Sequence, residues 1–501
     1  MPEYVVSVGM ECHAELLTKS KMFCGCENAF GGEPNTRCCP ICLGLPGTLP
    51  VFNKKAVEQV VCTALALNCE ITLRTIFHRK NYFYPDLPKG YQVSQYGNTP
   101  IGINGWLEIE EADGSLKKIR ITRVHLEEDT GKSQHVDGLG YSVMDYNRAG
   151  VPLMEIVTDF PPDVESGEEA RLYAETLRSI LLYLGVSDGK MEQGSLRVEP
   201  NPSVRQKGSE VYGTKTELKN LNSFRFVQQG VEYEAKRQIA AIEKGEPVLQ
   251  ATFGWDSEKN ETVLQRIKES EQEYRYFPEP DLIPIEFLPE YIESLRAHLP
   301  ELPIARKRRF IEQYSLPSTD AAQLVSERAT ADFFEAAAQR ADPKLVANWM
   351  LGDLTRLANA ASQPVYATPI TVEHLAGLVN AIGKGTITGK IGKELIDSMH
   401  AQSKSVEQLI QERGIKVADA GAVQEIVQRV LAANPDIVAK IKAGNDKSKG
   451  FLIGQVMKEA KGQARPDDVS STFFHKMSLS TMQSRRFAAV RRRRCRIRGR
   501  G

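Results

Sequence analysis

The sequence predicts an α+β protein: a large mixed α/β cradle domain, then an all-helical domain and a small helical tail domain. Three observations predict it. Up to about residue 295, stretches with the two-residue period of strands are interleaved with stretches of helical period. From Phe287 onward the pattern is helical alone, with Ala-rich and Leu-rich runs such as Ala331–Ala341 and Leu345–Asn359. The 501 residues, 41% hydrophobic and 26% charged, suffice for several cores of ordinary globular composition.

The elements follow in order. Tyr4, Val6, Val8, Met10 and Cys12 alternate with Val5, Ser7, Gly9, Glu11 and His13, so the chain opens on a strand. Asn53–Asn68 places Val57, Val60, Val61, Ala64 and Leu65 on one helical face. Trp106–Ile109 and Ile119–Val124 flank Asp113-Gly114, a hairpin signal. Ser166 with Glu169 reads as a capping box, and Gly185 as the stop of the helix it starts. Gln363-Pro364 marks a linker, and 371–461 is again helical, with short connections such as Gly383-Lys384-Gly385 and Ala443-Gly444-Asn445. The expected domains are therefore 1–295, 296–365 and 366–468, followed by a basic extension, 469–501, expected to lack order.

That extension holds nine arginines, Lys476 and no acid, leaving 54 basic residues against 64 acidic ones in the body. No run nears the ~18 apolar residues that a membrane span needs. The first ten residues lack the basic and apolar parts of a secretory signal, so a cytoplasmic location is expected.

Six of the nine cysteines lie between Cys12 and Cys42. Four form Cys24-Gly-Cys26 and Cys39-Pro-Ile-Cys42, two knuckles joined by a twelve-residue linker rich in Gly, Pro and Asn. Such pairs suit tetrahedral Zn²⁺, and four thiolates close its coordination shell, which reads as a structural zinc rather than a catalytic one. The alternatives are free buried thiols or disulfides. Cys38 is a possible competing ligand; Cys62 and Cys69 read as core residues.

Several carboxylates stand where a strand would not tolerate them. Glu11, His13 and Glu15 share one face of the opening strand. Glu155 shares a face with Val151, Leu153 and Val157, a costly position unless paired or bound to metal. His125-Leu-Glu-Glu-Asp129 ends another strand. Oxygen ligands with one imidazole suit Mg²⁺, and such a site fits phosphoryl transfer. The competing reading is a set of solvated strand ends. His78-Arg-Lys-Asn-Tyr-Phe-Tyr-Pro-Asp86 and Tyr274-Arg-Tyr-Phe-Pro278 mix cations with aromatics, which suits phosphate and base contacts through Arg79, Lys80 and Tyr82, or else an aromatic core edge with snorkelling cations. No Walker A sequence, no Gly-x-Gly-x-x-Gly and no His-Glu-x-x-His occurs, and Ser195 and Ser223 lack a histidine arrangement for acyl transfer.

Taken together, Gly9-Met-Glu-Cys-His13, Cys39-Pro-Ile-Cys-Leu-Gly-Leu-Pro-Gly47, Arg79–Asp86, His125–Asp129, Asp145-Tyr-Asn-Arg-Ala-Gly-Val-Pro152, Glu217-Leu-Lys-Asn-Leu-Asn-Ser-Phe-Arg225 and Tyr274–Pro278 resemble the GatB family of aspartyl/glutamyl-tRNA amidotransferases, in order and up to about Pro466. The resemblance implies an ATP-dependent carbon–nitrogen ligase with glutamine as amide donor. It would act on misacylated Glu-tRNA(Gln) or Asp-tRNA(Asn) within a heterotrimer. The other two members would be an amidase that supplies ammonia and a small protein that joins the pair. By motif the resemblance implies Mg²⁺ on Glu11, His13, Glu128 and Glu155, ATP contacts from Arg79, Lys80, Tyr82 and Lys219, and structural Zn²⁺ on Cys24, Cys26, Cys39 and Cys42. The absence of amidase machinery fits, since that would belong to another chain. The chain departs from the family pattern at Gln193–Ser203, where Glu199 stands for an aspartate, and after Asp467. A non-catalytic RNA-binding scaffold is the other reading; it has no use for Glu155 in an apolar strand.

Overall fold

The computed structural model describes residues 3–476 except 98, 136–137, 139, 268–273, 416–419, 443–447, 461–463 and 465–467. The expected connection at 443–445 and the arginine-rich part of the extension lie outside the described residues. The chain forms two compact units, Met1–Ala305 and Arg306–Gly501. Strands end at Glu286 and every described element after it is helical, as the change in periodicity predicts.

The first unit is built on a six-stranded antiparallel sheet. Its order is Leu196–Gln206, Tyr4–Glu15, Pro152–Thr158, Leu116–Glu128, Gly102–Glu110 and Glu70–Ile71. One face of the opening strand, Val8, Met10, Cys12 and Ala14, is buried in a core with Val57, Val60, Val61 and Ala64 of the Lys54–Ala66 helix and Tyr173 and Leu177 of the Gly167–Leu184 helix. Strand alternation then turns Glu11 and His13 to the opposite face. Two three-stranded sheets and two two-stranded ones, Arg74–Thr75 with Ile285–Glu286 and Lys132–His135 with Ser142–Asp145, complete the strands of the unit. In one three-stranded sheet, Ala251–Asp256 lies between Glu217–Lys219 and Glu261–Ile267; in the other, His78–Asn81 lies between Phe277–Pro278 and Tyr91–Ser94.

The helix signals are met in detail. Asn53 caps the first helix by accepting from the backbone N–H of Lys55 and Ala56, and Gly185 ends the Gly167–Leu184 helix in the left-handed region at φ 65°. Only half of the expected capping box forms. Ser166 Oγ accepts from Glu169 N–H, but Glu169 Oε2 takes the N–H of Glu165 and Lys117 Nζ instead. Ser166→Ala is expected to cost about 1 kcal/mol, read as a lowered thermal midpoint.

Three hydrophobic cores divide the chain differently from the expected boundaries. Ile292, with the partly buried Leu295, Leu299 and Leu302, packs into the first core, so that unit runs past residue 295. A second core runs from Phe310 to Leu409, and the expected 365/366 division falls inside it: Phe334 and Trp349 share it with Leu375 and Leu395. Pro364 precedes a single 3₁₀ turn, Val365–Ala367, rather than a break between cores. A third core holds Val423, Val427, Leu452 and Val456. Val469 and Phe473, one turn apart on a helix over 468–476, belong to it, so the extension begins as ordered structure.

Candidate active site

The strand pairing brings distant acids together. Across the sheet His13 pairs with Glu155, Glu155 with His125, Leu153 with Glu127, and Glu11 with Glu199. Residues opposed in this way point to the same face. His13 Nε2 lies 3.4 Å from Glu155, 3.7 Å from Glu127 and 3.8 Å from Glu11. His125 Nε2 lies 3.2 Å from Glu155 Oε2 and 3.7 Å from Glu127. Two donor sets result, Glu11–His13–Glu155 and His125–Glu127–Glu155, each with ligand atoms within 4.8 Å of one another.

The electrostatics are those of a buried charged cluster. Burial opposes charge on His13, yet its hydrogen bond to Glu155 and the pull of Glu155 and Glu11 raise it to about 9. Burial likewise opposes charge on His125, and Glu155 and Glu127 raise it to about 9. Burial alone would push Glu155 up, but His125 and His13 hold it well below the carboxylate range. Protons on two imidazoles thus offset the charge of the clustered carboxylates.

Glu11, His13 and Glu127 of the cluster line a cavity of about 580 Å³, together with Lys80, Lys219, Arg197, Glu199, Glu217, Tyr82, Tyr84 and Tyr274. Lys219 Nζ is 3.1 Å from Glu199 and 3.4 Å from Glu217. Arg197 donates to Asp129 Oδ2 at 2.7 Å. Asp129 is buried, but Arg197 and then Arg148 hold its carboxyl low. Glu15 lies outside the cluster, where burial and Asp129 push it up to about 8.

Two expected positions join neither the cluster nor the cavity lining. Glu128 follows Glu127 on the strand and so points to the other face. It pairs there with Lys89 and accepts from Val93 N–H at 2.9 Å. Glu127 takes the position by the histidines. Arg79 makes a two-pronged contact with Glu279, both bonds 2.7 Å, and lies 4.3 Å over the Tyr91 ring, so it clamps the small sheet. Lys80, Tyr82 and Lys219 do line the cavity.

The four cysteines converge. Cys42 Sγ lies 3.5 Å from Cys24, 3.8 Å from Cys39 and 3.8 Å from Cys26, and all four lie within 4.8 Å of one another. The edge of a ZnS₄ tetrahedron with bonds of ~2.3 Å is about 3.8 Å, so the donor set fits that ion. The fully buried Lys21 donates to Cys42 Sγ at 3.6 Å and to Ala149 O at 2.8 Å. The linker is stitched to the same turn: Arg37 N–H donates to Asn147 Oδ1 and Asn147 Nδ2 to Glu33 O, at 2.8 and 2.7 Å. Met22 N–H donates to Gly150 O at 2.7 Å.

Residues 6–293 match the family model described as GatB/GatE catalytic domain, and residues 332–477 match the one described as GatB domain. The chain belongs to the GatB family. Relatives in it include the B subunit of the aspartyl/glutamyl-tRNA(Asn/Gln) amidotransferase of Moorella thermoacetica, 52% identical over 93% of this chain and 98% of that protein. The proteins of the same name from Carboxydothermus hydrogenoformans and Brevibacillus brevis are 49% identical over 95% of the chain and 48% over 94%, covering 100% and 98% of their own lengths. The match to the GatB catalytic domain contains every residue of the cavity and all four clustered cysteines.

Sequence reasoning did not single out Glu127 and His125 for the cluster, nor Arg197 and Glu217 for the cavity wall. The signal for the first two lay in the two-residue period: if His125 faces Glu155, then Glu127 does and Glu128 does not.

Proposed function

We infer that this chain is the member of a tRNA-dependent amidotransferase that activates the side-chain carboxylate of glutamate or aspartate carried on the wrong tRNA. The observation that carries the reading is the cluster of Glu11, His13, Glu127, His125 and Glu155 beneath a cavity walled by Lys80, Lys219 and Arg197. A scaffold that merely held RNA would gain nothing from burying these charges.

The chemistry follows from the substrate. A carboxylate repels nucleophiles and has no leaving group. Attack of a carboxylate oxygen on the γ-phosphorus of ATP, with departure of ADP, makes an acyl phosphate. Ammonia then attacks the acyl carbon, phosphate leaves with the C–O electron pair, and the ammonium proton passes to a base. Glu11, His13, Glu127 and Glu155 are the residues that would hold Mg²⁺, with Glu127 in the role that motif analogy gives Glu128. The ion, when bound, would neutralise charge on the phosphates. Lys80 and Lys219 bring positive charge to the wall where phosphate oxygens gather, and Tyr82 closes that side against water. Ammonia comes from glutamine through a separate amidase chain, which a third, small chain joins to this one. Cys24, Cys26, Cys39 and Cys42 hold a structural Zn²⁺ that fixes the linker to the Asp145–Gly150 turn. The work is that of a cytoplasmic translation enzyme; among the described residues no helix is long and apolar enough to cross a membrane.

The test uses this chain assembled with its amidase and small partner proteins, Glu-tRNA(Gln), and ATP labelled at the γ-phosphate, with glutamine and ammonium left out. Labelled phosphate is expected on the aminoacyl-tRNA, and hydroxylamine should expel it as inorganic phosphate while converting the side-chain acyl group to the hydroxamate. Amidation on adding ammonium without any trappable phosphoryl intermediate would exclude this order of steps.

A further inference from the structure

We propose that a row of five tyrosines leading out of the cavity is the platform on which the unpaired 3′ bases of the RNA substrate stack. The proposal rests on the amidation reading above and adds to it where the RNA lies.

The row begins inside the cavity, where Tyr84, Tyr82 and Tyr274 are lining residues. Tyr82 packs edge-on against Tyr84 at 6.3 Å and against Tyr274 at 6.0 Å. Tyr274 meets Tyr276 at 6.0 Å, and Tyr276 stacks on Tyr96 at 4.0 Å with the rings 7° from parallel. The two end members, Tyr84 and Tyr96, are 55% and 54% exposed. Single exposed aromatics are ordinary, but a connected aromatic surface that opens from a substrate cavity is not.

Three features point to single-stranded RNA. Aromatic faces stack any base, which suits a strand held by position rather than by sequence. The row is also accompanied by positive charge. The Lys80 ammonium lies 5.0 Å over Tyr274 and 5.8 Å over Tyr82, and the exposed Arg275 stands between Tyr274 and Tyr276 in the chain. A strand with a phosphate at each step matches that mixture of π faces and cations. Finally, four successive ring contacts extend well beyond the reach of one adenine, so the base of ATP alone would leave most of the row bare. The amino acid under reaction is esterified to the terminal ribose. Its neighbouring bases must therefore run from the cavity outward, along the path that the row takes.

The test uses the assembled enzyme with Tyr96→Leu and Tyr276→Leu, which keep apolar bulk but remove the π face, and the corresponding Phe variants. The KM for aminoacyl-tRNA is expected to rise about tenfold in each Leu variant. The KM for ATP should stay constant, and the Phe variants should behave as wild type. A 2-aminopurine in the unpaired 3′ segment should be quenched on binding to wild type and relieved in the Leu variants. No quench on wild type overturns the proposal. So do an unchanged KM for aminoacyl-tRNA in both Leu variants and a rise confined to ATP, which would make the row an adenine site. Failure of the amidation reading is distinguishable, because the wild-type assembly would then yield no amide at all.

Discussion

Glu155→Ala abolishes ATP-dependent amidation while leaving tRNA binding intact. This carboxylate belongs to both donor sets, and both imidazoles lean on it at 3.4 and 3.2 Å. Removing it leaves two buried histidines without their main counter-charge and would at once take a ligand from the proposed cation. The loss should be on the order of 10³-fold or more in rate, the scale seen when one preorganised group at a site of developing charge is deleted. Glu155→Gln keeps the volume and a neutral oxygen, so it separates loss of charge from a cavity left in the sheet; it should be nearly as inactive with a near-native thermal midpoint. The measurement is amide formation by the full assembly with its amidase and small partner proteins, supplied with ammonium, beside filter binding of the charged tRNA. Full-rate amidation by Glu155→Ala would remove the catalytic assignment. The control is Glu128→Gln. That side chain lies with Lys89 on the other face, so a cation titrated into this variant should bind as in wild type.

Cys42→Ser is expected to abolish binding of the proposed zinc and to open the segment between the two knuckles. Cys42 touches all three other cysteines, and Cys24, ahead of Lys21, pulls its thiol far below the usual thiol range. It is therefore the worst of the four to lose. Apparent binding energies of structural zinc run to about 10 kcal/mol or more, well above what the hydrogen bonds that stitch the linker to the Asp145–Gly150 turn would each add, about 1 kcal/mol. Metal analysis should find about one zinc per wild-type chain and none in the variant, and limited proteolysis should cut the variant within 27–38. The damage should travel further. Lys21 and Asn147 bind the knuckle to the turn that carries Arg148, whose guanidinium reaches Thr130 O and Asp129. Amidation should fall with the metal content and return on adding zinc to the wild-type apoprotein. Wild-type protein free of zinc yet resistant to the protease would refute the knuckle.

Much of this was legible in the residues. The opening strand, the first helix with its Asn53 cap, the hairpin at Asp113-Gly114 and the Gly185 stop are local decisions, made by periodicity and capping within a few residues. The misplaced carboxylate of Glu155 was equally readable, because its apolar neighbours make it expensive wherever the strand lies. What the chain order hides is pairing. Arg197 and Glu217 enter the cavity only because the Leu196–Gln206 strand lies beside the opening strand, nearly two hundred residues away in sequence, and because the Glu217–Lys219 strand follows it. Analogy of motif selects Glu128, whereas the alternation of the strand decides for its neighbour Glu127. The packing across the expected 365/366 division was hidden for a related reason. Gln363-Pro364 looks like punctuation, but helices on either side of it bury apolar faces in one core, and a turn signal carries no information about what packs across it.

The burial of Val469 and Phe473 bears on how the arginine-rich end can be studied. A truncation at the start of the acid-free stretch would strip two side chains from the interior of the last helical core, and any loss of activity would then report unfolding rather than missing charge. A stop codon after Lys476 keeps both side chains and every other described member of that core, so a protein shortened there tests the arginine-rich stretch without removing them.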